Sequence, residues 1–119
     1  MVDDAIIVVG SMNNDIYALV RWKFETGGEV WSSPSYNGNE IFIGSDDGFL
    51  YCLDIDGKLQ WKTKLNGKIR SSSPCLSFDE GPSVFIGTYN GGMFCLNQCT
   101  GMIRWSKRFQ NLLWLLLLQ

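Results

Sequence analysis

With 119 residues, 45% of them hydrophobic and 13% aromatic, the chain carries enough apolar surface to fold as one modest domain and is not of the disordered class. Ten basic against twelve acidic residues leave a net charge of −2 without long runs, which excludes the electrostatic footprint of a nucleic-acid binder.

In chain order, "MVDDAIIVVGSMNND" puts acidic residues before a short apolar run, so no secretory signal with a basic leader and longer apolar stretch is visible. The stretch "IVVGSMNNDIYALV" at 7–20 then nearly recurs as "IFIGSDDGFLYCLD" at 41–54 and as "VFIGTYNGGMFCLN" at 84–97. Within each copy two runs of β-formers flank a turn, Asn13-Asn14, Asp47-Gly48 or Asn90-Gly91, and the Asp-Gly and Asn-Gly pairs predict type I′ hairpins. A second turn, "DIDGK" at 54–58 and "NQCTGM" at 97–102, leads to a third strand that carries a tryptophan. A fourth strand is predicted in "EVWSSPSY" at 29–36 and in "KIRSSSPCLSF" at 68–78, after Gly28 and Gly67. At the end, "LLWLLLL" at 112–118 is far too short to span a bilayer as a helix, which takes about 20 residues.

Aligned, the copies place Gly10, Gly44 and Gly87 in register, and Trp22, Trp61 and Trp105 follow downstream at separations of 39 and 44 residues. Four short strands in a period near 40, with no helical spacing, predict an all-β fold of four-stranded antiparallel β-propeller blades. A large flat side chain at one point of successive blades can bury about 150–250 Å² against the adjoining sheet, so the three tryptophans are expected to join blades rather than to stack on a ligand.

The segment "SSPSYNGNEIFIGSDDGFLYCLDIDGKLQWKTKLNGKI" resembles the repeat of pyrroloquinoline-quinone-type propellers, and the resemblance extends over residues 5–109. It rests on the Ser-Ser-Pro element, the Gly-Ser-x-Asp-Gly core and a terminal Thr-Gly-x-x-x-Trp. That last motif, matched in full from Thr100 and Gly101 to Trp105 and partly from Asp56 to Trp61, is a tryptophan-docking motif in the family. The resemblance implies either a quinone-dependent dehydrogenase, with a full ring, a calcium site and a catalytic aspartate, or a non-enzymatic propeller. Propellers of the second kind scaffold bacterial outer-membrane assembly or are appended to acyl-activating enzymes.

Two departures from the repeat stand out. Leu19 lies three residues before Trp22, whereas Leu53 lies eight before Trp61, so in copy one the second and third strands either merge or form an imperfect blade. After Trp105 the expected glycine is replaced by Asn111, and the repeat stops near Gln110. The chain therefore divides into a repeat region, 1–110, and an atypical apolar tail, 111–119. It makes an incomplete ring of about two and three-quarter blades, where closed propellers use about four to eight.

Candidate chemistry is sparse. With no histidine, neither Ser32-Ser33 nor Ser71-Ser72-Ser73 has a base, and they read as strand residues. Asp46-Asp47 and Asp54 with Asp56 sit where turns favour aspartate, and neither they nor Asp3-Asp4 and Asp79-Glu80 follow a calcium-loop pattern. Of Cys52, Cys75, Cys95 and Cys99 only the last two are close in sequence, which does not match a zinc site. Cys52 and Cys95 occupy the repeat position of Ala18, and reduced thiols are the default, with a disulfide between Cys75 and Cys99 left open. No catalytic, cofactor-binding or metal-ligating residue is assigned and no cofactor is expected. The residues singled out are the repeat positions Gly10, Gly44, Gly87, Trp22, Trp61, Trp105, Thr100 and Gly101. The expected function is a non-catalytic interaction or scaffold module. Its expected partners are further blades of a larger propeller or another protein, or a second copy through open blade edges; the compartment stays open, with the cytoplasm favoured.

Overall fold

Alternation along two central strands organises the molecule. In β5 (Glu40–Gly44) and β6 (Phe49–Asp54), Phe42, Leu50 and Cys52 point to one face, and Ile43, Tyr51 and Leu53 to the other. Both sets are buried, so this sheet is the middle layer of a stack with an apolar core on each side. The computed structural model describes residues 8–10, 14–18, 22–71, 75–78 and 81–108; the apolar tail, Asp3-Asp4 and Asp79-Glu80 lie outside them.

Among the described residues all the regular structure is β. The first sheet has three antiparallel strands, β1 (Val8–Gly10), β2 (Asp15–Ala18) and β3 (Trp22–Glu25). The second runs β4 (Ser35–Tyr36), β5, β6 and β7 (Leu59–Lys64). The third runs β8 (Cys75–Phe78), β9 (Gly81–Gly87), β10 (Gly92–Asn97) and β11 (Ile103–Arg108). Three sheets with strands in sequence order are consecutive propeller blades, two of four strands and one of three, and the ring is not closed. One core, with Ile16, Val30 and Ile43, lies between the first and second sheets, and the other, with Phe42, Ile69, Val84 and Leu96, between the second and third.

In the first copy the second and third strands do not merge. Ala18 pairs with Trp22 and Asp15 with Glu25, so β2 and β3 are separate strands joined across three residues. The hairpins also differ from the type I′ expectation. That turn needs positive φ at both central residues, but Gly48 (87°) and Gly91 (82°) have it while Asp47 and Asn90 do not. Ser45 and Phe49 pair around a three-residue loop in which the amide of Gly48 donates to the carbonyl of Ser45, a tight turn followed by one left-handed residue. Asn14 fills the same place in the first copy with φ of 79°, a conformation asparagine tolerates better than most side chains.

Of the strands predicted at 29–36 and 68–78, the described residues form Ser35–Tyr36 and Cys75–Phe78, and residues 29–34 and 68–71 are not strand. Residues 29–34 and 68–71 cross from one blade to the next, and in each a serine hydroxyl takes the place of ladder bonds. Ser32 Oγ donates to the carbonyl of Gly44 (2.7 Å) and accepts from its amide (3.0 Å), and Ser71 Oγ bridges Gly87 in the same way at 3.1 and 3.4 Å. Ser32 and Ser71 are therefore connection residues rather than strand residues.

The outer strands β3, β7 and β11 expose Lys23, Lys62, Lys64, Lys107 and Arg108. Charged side chains on an edge strand discourage pairing with another chain. A bulge before Trp61 and another before Trp105 recur at the same repeat position, leaving Gln60 and Arg104 outside the ladder register.

Candidate functional site

Of the repeat glycines, Gly10 pairs with Ile16, Gly44 with Leu50 and Gly87 with Met93. Gly44 lies so close under Ile69 that a Cβ there would overlap the isoleucine side chain. Trp22 and Trp61 each reach the turn of the following blade. The indole N–H of Trp22 donates to the carbonyl of Ile55 and that of Trp61 to the carbonyl of Gln98, both at 2.9 Å. Beneath the rings lie Gly57 and Gly101, whose missing Cβ atoms would each stand 2.5 Å from the indole. Thr63 Oγ1 donates to the carbonyl of Gly101 (2.6 Å), and Thr100 Oγ1 accepts from the amide of Met102 (3.2 Å). Trp105 lies against Phe85, with ring centroids 5.8 Å apart.

The acidic residues of the turns are occupied by structure. Asp54 Oδ1 accepts from the amides of Asp56 and Lys58, both at 2.9 Å. Asp47 accepts from the amides of Phe49 and Gly27 and from the Tyr51 hydroxyl. Burial first, and the Asp47 carboxylate second, hold the Tyr51 phenol well above its usual range. Among the described residues no group of three or more carboxylates and thiols is placed to hold a metal ion.

A different set of side chains is gathered on the rim formed by the hairpin turns. The amide of Asp46 donates to the carbonyl of Glu29 (2.8 Å), and at the next junction the amide of Tyr89 donates to that of Lys68 (2.9 Å). Each hairpin turn is thereby clamped to the connection that enters its blade. The clamp brings Arg70, three residues after Gly67, between two aromatic rings. Its guanidinium lies 4.8 Å from the centroid of Trp31 and 5.2 Å from that of Tyr89. Asp46 takes it in a two-pronged ion pair, Nε at 2.9 Å and Nη2 at 2.6 Å, and these bonds raise the arginine pKa above its ordinary value. Trp31 stays 46% and Tyr89 52% exposed, so two large aromatic side chains packed on a paired cation remain partly open to solvent.

Sequence reasoning did not single out Trp31, Arg70 or Tyr89. The available signal was Trp31 itself, the one tryptophan between Trp22 and Trp105 that is out of register with the docking positions.

The thiols differ sharply in access. Cys99 is exposed, Cys52 and Cys95 are buried and Cys75 is half-buried. Burial, with a smaller contribution from Glu40, pushes Cys75 from 9.0 up to about 11 and raises Cys52 as well. At neutral pH a chromogenic disulfide reagent is expected to titrate Cys99 at once and Cys52 and Cys95 only on unfolding. Both raised thiols bind protons more tightly folded than unfolded. Their contribution to stability is fully present below pH 9.0 and is lost as pH rises towards the folded values. The denaturant midpoint should therefore fall between pH 9 and about 11, and a Cys75→Ser variant should flatten that fall.

The family model described as outer membrane protein assembly factor BamB matches the chain over three overlapping segments, residues 1–67, 19–81 and 47–113. A tetrathionate hydrolase of Acidithiobacillus ferrooxidans is 32% identical over 99 residues, covering 77% of this chain and 19% of that protein. The outer membrane protein assembly factor BamB of Yersinia pestis is 34% identical over 71 residues, 59% of this chain and 17% of that one. A beta-alanine-activating enzyme of Drosophila melanogaster is 26% identical over 83 residues, 65% of this chain and 8% of the enzyme. The chain thus spans less than a fifth of each of these relatives. Among solved structures, BamB from Moraxella catarrhalis superposes with a TM-score of 0.76 at 20% identity, covering 90% of this chain and 33% of that one. A europium-containing methanol dehydrogenase superposes with a TM-score of 0.71 at 19% identity, covering 92% and 24%. Both likenesses are of fold.

Proposed function

Because the chain belongs to the family of outer membrane protein assembly factor BamB, we propose that it is a non-catalytic propeller module that holds another protein and forms part of a larger propeller. The observation that carries this reading is the rim of Trp31, Arg70 and Tyr89. Exposed aromatics fixed beside an arginine are the residue types enriched at the centres of protein interfaces. Charge spent on Asp46 leaves Arg70 as a stacking surface rather than a general acid or an anion hook.

The remaining blades of the larger propeller fit the far face of the third sheet. There Trp105 faces away from the second sheet's core, and Met102 and Ile103 beside it are 70% and 45% exposed. Trp22 on Gly57 and Trp61 on Gly101 indicate the kind of occupant, a blade presenting a glycine turn.

Photo-crosslinking from an unnatural residue at position 89, with position 25 on the first sheet's outer strand as control, tests the module. A discrete protein adduct from position 89 alone is the expected result. Calorimetric titration with pyrroloquinoline quinone and calcium is expected to give no heat of binding, and a stoichiometric isotherm would restore the dehydrogenase reading. A second reading, a propeller appended to an acyl-activating enzyme, is favoured by the likeness to the beta-alanine-activating enzyme. It differs in placing the partner on the same polypeptide.

A further inference from the structure

Beside the aromatic rim, a cleft of about 570 Å³ opens between the hairpin turns of the second and third blades. Its walls include two carboxylates, Asp46 and Asp47, and two ammonium groups, Lys64 and Lys68. The carboxylates are already taken. Asp46 is paired with Arg70, and Asp47 accepts from two backbone amides and the Tyr51 hydroxyl. The ammonium groups are not spent to the same degree. Lys64 gives one of its three N–H groups to the carbonyl of Asp47 at 2.6 Å, and Lys68 makes no ion pair among the described residues. Both lysines are exposed.

Edge protection accounts for Lys64, which ends β7, but not for Lys68, which lies in the connection to the next blade where no strand edge needs guarding. The floor is stiff, since Thr88 Oγ1 bonds Asn66 Oδ1 at 2.5 Å and Asn90 Nδ2 donates to the carbonyl of Asn66. Tyr89 forms one lip of the cleft.

We propose that this cleft binds an acidic segment of a partner protein, its carboxylates meeting Lys68 and Lys64 and a neighbouring apolar or aromatic side chain lying on Tyr89. The assignment rests on the module reading above and adds the chemistry of what the module holds. Charge complementarity selects the occupant. With Asp46 neutralised by Arg70, Lys64 and Lys68 outnumber the one carboxylate left, Asp47, so the cleft keeps a net positive charge that favours an acidic segment over a basic one.

The test uses the full chain and fluorescence anisotropy with three labelled probes: a hexapeptide of alternating Glu and Tyr, its Lys and Tyr counterpart, and a thymidine oligonucleotide. The acidic peptide should bind, more weakly as salt is raised, and the basic peptide should not. Lys68→Glu should weaken binding about tenfold or more, whereas Lys62→Glu, on β7 beside Lys64 but outside the cleft, should leave it unchanged. Circular dichroism and melting temperature of both variants establish that each folds. Equal binding of the basic peptide, indifference to Lys68→Glu, or no binding at all would overturn the assignment. So would tighter binding of the oligonucleotide, which would mark the cleft as a site for phosphates. The crosslink from position 89 separates the two layers. If it persists in Lys68→Glu, the module stands and acidic recognition falls; if it never forms, the module falls as well.

Discussion

Replacing Trp61 by alanine should cost about 4 kcal/mol, a large share of the roughly 5–15 kcal/mol that holds an ordinary domain folded. Three contributions are lost together. The ring packs on the core between the second and third sheets and lies 5.8 Å from Phe42, centroid to centroid. Its N–H would leave the carbonyl of Gln98 without a donor, and the plane above Gly101 would become a cavity. Trp61→Phe keeps most of the area and removes the hydrogen bond, so it should cost only about 1–2 kcal/mol. Trp105→Ala is the internal comparison. Trp105 touches Phe85 on its own sheet, and among the described residues no following turn lies under it, so its loss should cost less than half as much. Urea denaturation of the three variants reads this directly. Equal costs for Trp61 and Trp105 would show that docking between blades adds nothing to burial within one.

Gly101→Ala attacks the same joint from the other side and should cost about 3 kcal/mol. The residue sits at φ of 78°, where an L side chain costs about 1–2 kcal/mol, and its Cβ would stand 2.5 Å from two atoms of the Trp61 indole. Overpacking of that kind adds about 1–3 kcal/mol. Gly38→Ala separates the two causes. Gly38 has φ of 101° but nothing within 4 Å of its would-be Cβ, so only the conformational part applies. Gly57→Ala, under Trp22, should behave like Gly101→Ala because its geometry is the same. Thermal melts of the three alanine variants decide the matter; a Gly38 variant as unstable as the other two would make left-handed strain, and not tryptophan docking, the reason for glycine.

Both experiments bear on how blades are joined, and the joint was only half legible. The glycine and tryptophan registers lie open in the chain because a repeat compares itself with itself. Strand positions were legible for a similar reason, since period-two alternation and turn residues act over a few neighbours. Where a detail depended on competition between local options, sequence reading gave the wrong one. Asp47-Gly48 suits a type I′ turn in isolation, but pairing of Ser45 with Phe49 closes a three-residue loop. The predicted strand at 29–36 has β-formers, yet the chain there must cross between blades, and Pro34 brings no amide to a ladder.

By itself the sequence determined the repeat unit, its strands, its turn positions and the all-β propeller architecture. Each of these follows from backbone preferences and side-chain alternation within about ten residues, repeated until chance is excluded. Only the tertiary structure decided that Ser32 and Ser71 replace ladder bonds, that Trp22 and Trp61 meet the turns carrying Gly57 and Gly101, and that Arg70 lies between Trp31 and Tyr89 with Asp46 as its partner. These contacts join different blades or distant strands, and no local preference encodes them. They arise because stacked sheets bring equal offsets of successive repeats side by side, so what an exposed position touches is set by the neighbouring blade and not by its own.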